Sequence, residues 1–236
     1  SPDVVTFISI LKACTSAGAI DKGKEIHDEV TRRGWLEKNI VLGNTLVDMY
    51  AKCGMLAKAK QVLERLPVRD VVSWNVLIAG YALQGKGHEA LECLNCILTE
   101  GISPDEGTFI CVLSACAHSG LSDEAQIVFE NMTKKYGITP NLEHYTCMVV
   151  VFGYTGYFDK VASLIEVMPC FDYHAVWLAL LGACGKWGYV KLGRLSFDHV
   201  IQVGNDIASA YVIMANIYAA AGMQEDAQKV EDMRQR

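Results

Sequence analysis

Several things this sequence lacks narrow its function before any motif is considered. No uninterrupted apolar run approaches the roughly 20 residues of a membrane span, although apolar residues make up 51% of the chain. The apolar surplus is therefore expected to serve packing within the protein, and no membrane partner is expected. An excess of positive charge is also missing, since 21 Lys and Arg against 27 Asp and Glu leave a formal charge of −6. Phosphate contacts normally supply most non-specific affinity for nucleic acid, so any nucleic-acid contact here must be local and selective. The nine cysteines are an odd number, scattered through helical patterns such as Leu11 to Cys14 and Cys111 to Cys116. They read as reduced, buried small hydrophobes of a thiol-keeping compartment. Strand-like alternation is negligible, and no glycine-rich phosphate loop or nucleophile elbow appears. A start methionine, signal sequence and transit segment are missing too. Ser1-Pro2-Asp3 reads as the tail of a preceding repeat, so the chain reads as an excised fragment whose missing targeting sequence says nothing about location.

What the sequence does have is a counted repeat. Gly18, Gly54, Gly85, Gly120, Gly156, Gly188 and Gly222 stand 36, 31, 35, 36, 32 and 34 residues apart. Five positions after each stands Gly23, Ala59, Ala90, Ala125, Val161, Gly193 or Ala227. A turn residue free to take positive φ, followed by a tiny side chain at a fixed interval, suits two antiparallel helices in close approach. The chain is therefore expected to be one repeat array in which each unit buries its apolar face on its neighbours. Ser1 to Cys14 matches Ser103 to Cys116 at nine of fourteen positions, so a higher-order unit of three unequal repeats restarts there. After the tail at 1–3, the units run 4–39, 40–70, 71–105, 106–141 and 142–173, with looser ones at 174–207 and 208–236.

Each unit divides at its glycine into two helices. Val71 to Ala82 carries Val72, Val76, Leu77, Ile78 and Tyr81, apolar on more than one side, as a helix packed on both its partner and the next repeat would be. After Gly85 the run Ala90, Leu91, Leu94, Ile97, Leu98 follows one helical face. Asp3, Asp70 and Asp105 precede first helices, where a carboxylate accepts from free N–H groups. Pro2 and Pro104 stop the segments before them.

The residues are more specific than the period. Val71-Val72-Ser73-Trp74-Asn75-Val76-Leu77-Ile78-Ala79-Gly80-Tyr81, ending at Gly101-Ile102-Ser103-Pro104-Asp105, closely resembles the pentatricopeptide repeat (PPR). The unit at 40–70, with Gly43-Asn44-Thr45-Leu46-Val47-Asp48-Met49-Tyr50-Ala51-Lys52-Cys53-Gly54, resembles the short variant, as does 142–173. Leu11-Lys12-Ala13-Cys14 with Ile26-His27, and Val112-Leu113-Ser114-Ala115-Cys116 with Ser119-Gly120, resemble long variants at 4–39 and 106–141. Long, short and standard repeats in rotation resemble the plant PLS subclass. Ala175-Val176-Trp177 with Leu180 to Cys184, and Ala215 to Gly222, resemble the two E motifs that close such arrays, the second of them reading as truncated. The implied fold is an all-α, right-handed α-solenoid of helix-turn-helix repeats of the PPR and tetratricopeptide kind.

The resemblance implies binding of single-stranded RNA, one repeat to one base through two or three side chains. An Asn amide offers a donor and an acceptor to a base edge, an Asp closing the repeat can hold that amide in place, and a β-branched residue can wedge between bases. Carried over by position, the short repeat supplies Val41, Asn44 and Asp70, and the standard repeat Val72, Asn75 and Asp105. Asn with Asp is expected to favour pyrimidines, uracil first. In the second short repeat the reader is Thr146; Thr with Asp would go with guanine, but the closing position aligns to Tyr173, with Asp172 one residue early. Ile8 and Ile110 have no polar atom to read a base, so the long repeats are expected to be spacers or apolar docking surfaces for multiple organellar RNA editing factor proteins. Asp70 and Asp105 also sit where a helix cap is needed anyway. Asn is a mediocre helix former in such a place, so its recurrence at 44 and 75 suggests use. Lys52 falls where a basic residue could meet phosphate, although matching positions hold Ser16, Leu83, His118 and Tyr154.

The resemblance further implies a plant mitochondrion or chloroplast, a role in specifying C-to-U editing, and a DYW-type deaminase supplied by a downstream domain or another chain and engaged through the E motifs. Splicing or transcript stabilisation, and a protein scaffold like the tetratricopeptide repeats, are the alternatives. No catalytic constellation, metal site or cofactor is expected within the chain. A zinc deaminase needs H-x-E followed by P-C-x-x-C; His27-Asp28-Glu29 and Pro169-Cys170 begin the halves, but Tyr173 stands where the second cysteine belongs. Cys93-Leu94-Asn95-Cys96 has no second pair at zinc spacing. His88-Glu89 lacks the second histidine of a zincin.

Overall fold

The computed structural model describes residues 2–168, 174–203 and 207–235. Among them are fourteen α-helices and no strand, so the all-helical expectation holds. The chain divides into two compact units, Ser1–Ser119 and Gly120–Arg236. The first contains α1 (Val4–Ala17), α2 (Ile20–Arg32), α3 (Ile40–Lys52), α4 (Leu56–Arg65), α5 (Val71–Leu83), α6 (Gly87–Thr99) and α7 (Glu106–Ser119). The second contains α8 (Ser122–Lys134), α9 (Leu142–Thr155), α10 (Phe158–Val167), α11 (His174–Trp187), α12 (Val190–Val203), α13 (Ile207–Ala220) and α14 (Gln224–Arg234).

In the first unit the odd-numbered helices stack side by side, α1 on α3, α3 on α5 and α5 on α7. Each of α2, α4 and α6 packs on the odd helix before it and on the one after it. In the second unit α9, α11 and α13 stack likewise, with α10, α12 and α14 as their partners. This division of labour is written in the two kinds of helix. α3 buries most of its length, including Leu42, Leu46, Val47, Met49 and Tyr50, because it is flanked on several sides. α4 buries one stripe, Leu56, Ala59, Val62 and Leu63, at the spacing of a single helical face. Fully burying such a side chain is worth about 1.5–3 kcal/mol.

The seven turn glycines all take positive φ, between 63° and 84°. At Gly18 that is the whole requirement: an added Cβ would meet nothing within 4 Å, and the residue caps α1 in the left-handed conformation while Ala19 N–H donates to Cys14 O at 2.9 Å. Gly34, Gly101 and Gly137, at the ends of α2, α6 and α8, take positive φ too. The small residues five positions beyond the turns are points of close approach. Ala59, Ala90, Ala125 and Val161 are fully buried, and a Cβ on Gly23 would come within 2.7 Å of Met49 in α3.

Four cysteines, Cys14, Cys93, Cys116 and Cys184, are buried as expected. Burial pushes the thiols of Cys93 and Cys184 up to about 12, which makes them poor nucleophiles at neutral pH. The expectation is half met at Cys53, Cys111 and Cys147, which are half-buried, and fails at Cys96, which is exposed because it lies off the stripe by which α6 packs. Cys170 lies outside the described residues. No disulfide joins the described cysteines, and no His, Cys, Asp or Glu cluster among the described residues could hold a metal ion.

Gly18 and Gly80 are glycine for different reasons, which a mutant cycle separates. A Cβ on Gly80 would lie 2.5 Å from Ala51 Cβ across the α3–α5 contact. Gly80→Ala is expected to cost about 1–3 kcal/mol through overpacking, and Gly18→Ala about 1 kcal/mol through backbone strain. Urea unfolding followed by circular dichroism should show Ala51→Gly rescuing Gly80→Ala and leaving the Gly18→Ala loss untouched.

Candidate nucleic-acid interface

The helices α1, α3, α5, α7 and α9 begin alike. A helix start leaves backbone N–H groups without partners, and a short polar side chain just before it accepts from one or two of them. Asp3 accepts from Thr6 N–H at 2.8 Å, Asn39 from Leu42 N–H at 2.9 Å, Asp70 from Ser73 N–H at 2.8 Å and Asp105 from Thr108 N–H at 2.8 Å. In the second unit Asn141 accepts from Glu143 and His144 N–H. Five residues after these caps stand Ile8, Asn44, Asn75, Ile110 and Thr146, the positions assigned above to reading or spacing. The three Asp caps are legible in the sequence; Asn39 and Asn141 were missed there, although their distance from the Asn or Thr that follows is the same.

The start of α5 is held from both sides. Arg69 Nε donates to Glu100 Oε1 at 2.9 Å, and the buried Trp74 Nε1 donates to Glu100 Oε2 at 3.0 Å. The Arg69 guanidinium, with help from Trp74, holds the Glu100 carboxyl below the usual carboxylate range against the opposing effect of burial. Asp70 and Ser73 exchange hydrogen bonds in a capping box.

Asn75 is fixed by the next helix start. Its Nδ2 donates to Asp105 Oδ1 at 3.0 Å, and its Oδ1 accepts from Thr108 Oγ1 at 2.7 Å. Thr108 is fully buried, and its hydroxyl also accepts from Asp105 N–H at 3.2 Å. The residue that caps α7 therefore also orients the amide of α5, leaving one Nδ2 hydrogen and one oxygen lone pair of Asn75 for a ligand. Thr108 was not singled out from the sequence, although an S/T three residues after an Asp cap is a capping-box signal. Burial pushes the Asp105 carboxyl up, but hydrogen bonds from Thr108 N–H and the Asn75 amide, together with a Thr108 hydroxyl hydrogen shared between Asp105 Oδ1 and Asn75 Oδ1, outweigh it and hold the group below its ordinary value.

Asn44 occupies the same register in α3 but not the same network. Its Oδ1 is shielded from solvent and has no hydrogen-bond partner, and Asp70, which accepts from Ser73 as Asp105 does from Thr108, does not reach it. The structure therefore brings Asn75 and Asp105 together and shows no hydrogen bond between Asn44 and Asp70. Val41 and Val72, three residues before each Asn and on the same helical face, are 56% and 51% exposed. Thr146 in α9 donates its hydroxyl to Leu142 O at 2.8 Å, which leaves it an acceptor outward. Tyr173 and Asp172 lie outside the described residues. Ile8 and Ile110 are half-buried. Lys52 is exposed but forms an ion pair with Asp48 at 2.9 Å, so its charge is partly spent. Lys186, two residues before Gly188 as Lys52 is before Gly54, was not singled out from the sequence; counting back from each turn glycine finds it.

Because Asp105 stays ionised in the folded protein to lower pH than in the unfolded chain, its extra stability is complete above the unfolded carboxylate pKa of about 3.9 and is lost as pH falls through the depressed folded value. Asp105→Asn imitates the protonated form. Urea midpoints of wild type and Asp105→Asn are expected to differ by a constant amount from pH 7 to about pH 5 and to draw together as the pH falls below about 3.9, the unfolded value, and through the depressed folded one.

Comparison with known proteins adds to this geometry. The family model described as PPR repeat family matches residues 69–118, that of the pentatricopeptide repeat domain matches 97–155, and that of the PPR repeat matches 5–35 and 44–71. Among curated proteins, the chain is 42% identical to the Arabidopsis thaliana pentatricopeptide repeat-containing protein At3g47530 over 99% of this chain and 39% of that one. It is 38% identical to the pentatricopeptide repeat-containing protein CRR2, chloroplastic, of the same plant over 99% of this chain and 35% of that one. The chain thus spans less than half the length of these relatives. Among solved structures, PPR10 in complex with an 18-nt psaJ RNA element aligns with 98% of this chain and 34% of its own at a TM-score of 0.77 and 21% identity, a likeness of fold. A second crystal structure of the pentatricopeptide repeat protein PPR10 from maize aligns with 99% of this chain and 39% of its own at a TM-score of 0.59 and 21% identity. The matched models together take in more than half of the residues, on helices that pair and stack as such repeats do, and the chain belongs to the pentatricopeptide repeat family.

Proposed function

We propose that this chain binds single-stranded RNA by sequence, one reading helix to one base, and that it specifies a C-to-U editing site in a chloroplast or mitochondrial transcript. The observation that carries the reading is the Asn75 amide, held by Asp105 and Thr108 from the next helix start with one donor and one acceptor left over, beside an exposed Val72 on the same face. An amide oriented before the ligand arrives loses less freedom on binding than a mobile one. The Asn44 Oδ1 has no hydrogen-bond partner within the chain, so turning that amide towards a base breaks no bond to its oxygen and gives a buried acceptor a partner. In this reading Asp70 and Asp105 close their repeats, Val41 and Val72 pack against bases, and Thr146 reads in the second short repeat. The similarity to PPR10, whose solved complex holds an RNA element, supports RNA as the ligand class.

The unit boundaries, the PLS rotation and the E motifs at 174–207 and 208–236 belong to the same proposal, as do editing factor proteins on the long repeats and a DYW-type deaminase engaged through the E motifs. The chain is then a binding module, and the chemistry is done by another domain or protein. One feature favours a second reading: the net charge of −6 and the pairing of Lys52 with Asp48 suit a protein scaffold better than a phosphate-led RNA binder.

Fluorescence anisotropy with labelled single-stranded RNAs of varied sequence tests the choice. Asn75→Ala and Asn44→Ala are each expected to weaken the preferred RNA about tenfold, the worth of a lost hydrogen bond at a shielded site, with helicity intact and with discrimination lost at one base each. No sequence preference among RNAs at low salt, together with tight protein partners, would contradict the RNA reading.

A further inference from the structure

The second unit carries a surface that the reading positions do not use. The most exposed aromatic side chains among the described residues are Tyr154, Trp187, Tyr157 and Tyr189, with 39%, 52%, 46% and 45% of their surface open. All four flank two turn glycines, Gly156 and Gly188. The matching turns of the first unit hold Ser16, Ala19, Lys52, Met55, Leu83 and Lys86, so this is no general property of the turns.

The arrangement is built rather than loose. Trp187 Nε1 donates to Tyr154 O at 3.2 Å, and Lys186 Nζ donates to the same carbonyl at 3.0 Å, at the C-terminal end of α9 where the helix dipole favours a cation. The indole lies against Gly156, where an added Cβ would sit 3.5 Å from two ring atoms. Lys186 Nζ lies 5.6 Å from the centre of the Tyr154 ring and 5.4 Å from that of Trp187. Lys160 Nζ lies 4.9 Å from the centre of Tyr157. Lys186 makes no ion pair among the described residues, whereas Lys52 at the same register is bound to Asp48. The indole N–H is used internally, so the exposed half of Trp187 presents aromatic surface without a free hydrogen-bond donor.

We infer that the Tyr154, Lys186 and Trp187 ledge is a stacking platform for one unpaired base of single-stranded RNA, with Lys186 beside its phosphate. This rests on the RNA-binding reading above. Flat aromatic faces accompanied by cations suit a base and its backbone, and a face without directed donors accepts any base. Tyr154 lies eight residues beyond Thr146 in α9, about 12 Å along the helix, so one strand can engage both. The ledge supplies affinity without sequence preference, which a chain of net charge −6 does not obtain from broad phosphate contact.

The test uses the full chain and short single-stranded RNAs of mixed sequence, each with one base replaced by an abasic unit. Trp187→Leu keeps an apolar side chain against Gly156 and removes the ring; Lys186→Gln removes the charge and keeps a side-chain N–H donor beside the Tyr154 carbonyl. Trp187→Leu is expected to weaken RNA about fivefold or more, equally for all base sequences, and to abolish the effect of one abasic position outside the stretch read by Asn75. Lys186→Gln is expected to weaken binding and to flatten its salt dependence. If wild type binds RNA and Asn75→Ala weakens it, yet both ledge variants bind as wild type does, the platform is refuted while the reading stands. If wild type binds no RNA, the reading itself fails and the platform with it. Quenching of Trp187 by a Glu-rich peptide but not by RNA would make the ledge a protein-docking surface and overturn the inference.

Discussion

The hydrogen bonds at the starts of the odd-numbered helices are the constraint on which the rest depends. Stacking helices side by side leaves their N-terminal N–H groups to be satisfied by whatever polar side chain precedes them. Asp3, Asn39, Asp70, Asp105 and Asn141 do this within their own helices. At Asp105 the same carboxylate also takes up Asn75 from the preceding odd helix. A group needed to cap one helix thereby also orients an amide on the helix before it, so that in the proposed reading stability and specificity share one side chain.

Around that constraint the two kinds of helix divide the work. The odd helices α3 and α5, flanked on both sides, give most of their surface to packing, and their exposed residues Val41, Lys52, Val72 and Leu83 lie in the first turn or at the C-terminal tip. The candidate contacts fall at those places: Val41, Asn44, Val72 and Asn75 near the starts, and Tyr154, Lys186 and Trp187 near the tips. The even helices bury one stripe and close the gap between neighbours through very small residues, such as Gly23 beneath Met49.

Much of this was legible in the sequence, and the reasons for the rest are physical. Helical periodicity, turn glycines and Asp caps are local signals, and they foretold the all-helical hairpins. The difference between Asn44 and Asn75 was not legible, because it depends on how the next helix start is set in space. After α6 the chain turns through Gly101 with φ 72° and the buried Pro104, and Asp105 and Thr108 reach Asn75. After α4 the chain leaves through an extended Leu66 without a glycine turn, and Asp70, although it accepts from Ser73 just as Asp105 does from Thr108, makes no hydrogen bond to Asn44. Equal register therefore gave unequal networks. The aromatic ledge was not legible either, since Tyr154 and Trp187 come from different helices and nothing in the spacing says that a single carbonyl gathers Lys186 and Trp187.

The central claim is that the side chain at a single helix position chooses a base. The most direct measurement exchanges that side chain for another reader: Asn75→Thr, titrated against four RNAs that differ at one nucleotide. Base reading predicts that preference at that nucleotide moves from pyrimidine towards guanine, as the family resemblance implies for Thr with Asp, while every other position keeps its ranking. An equal loss for all four RNAs, or no change, would contradict the account.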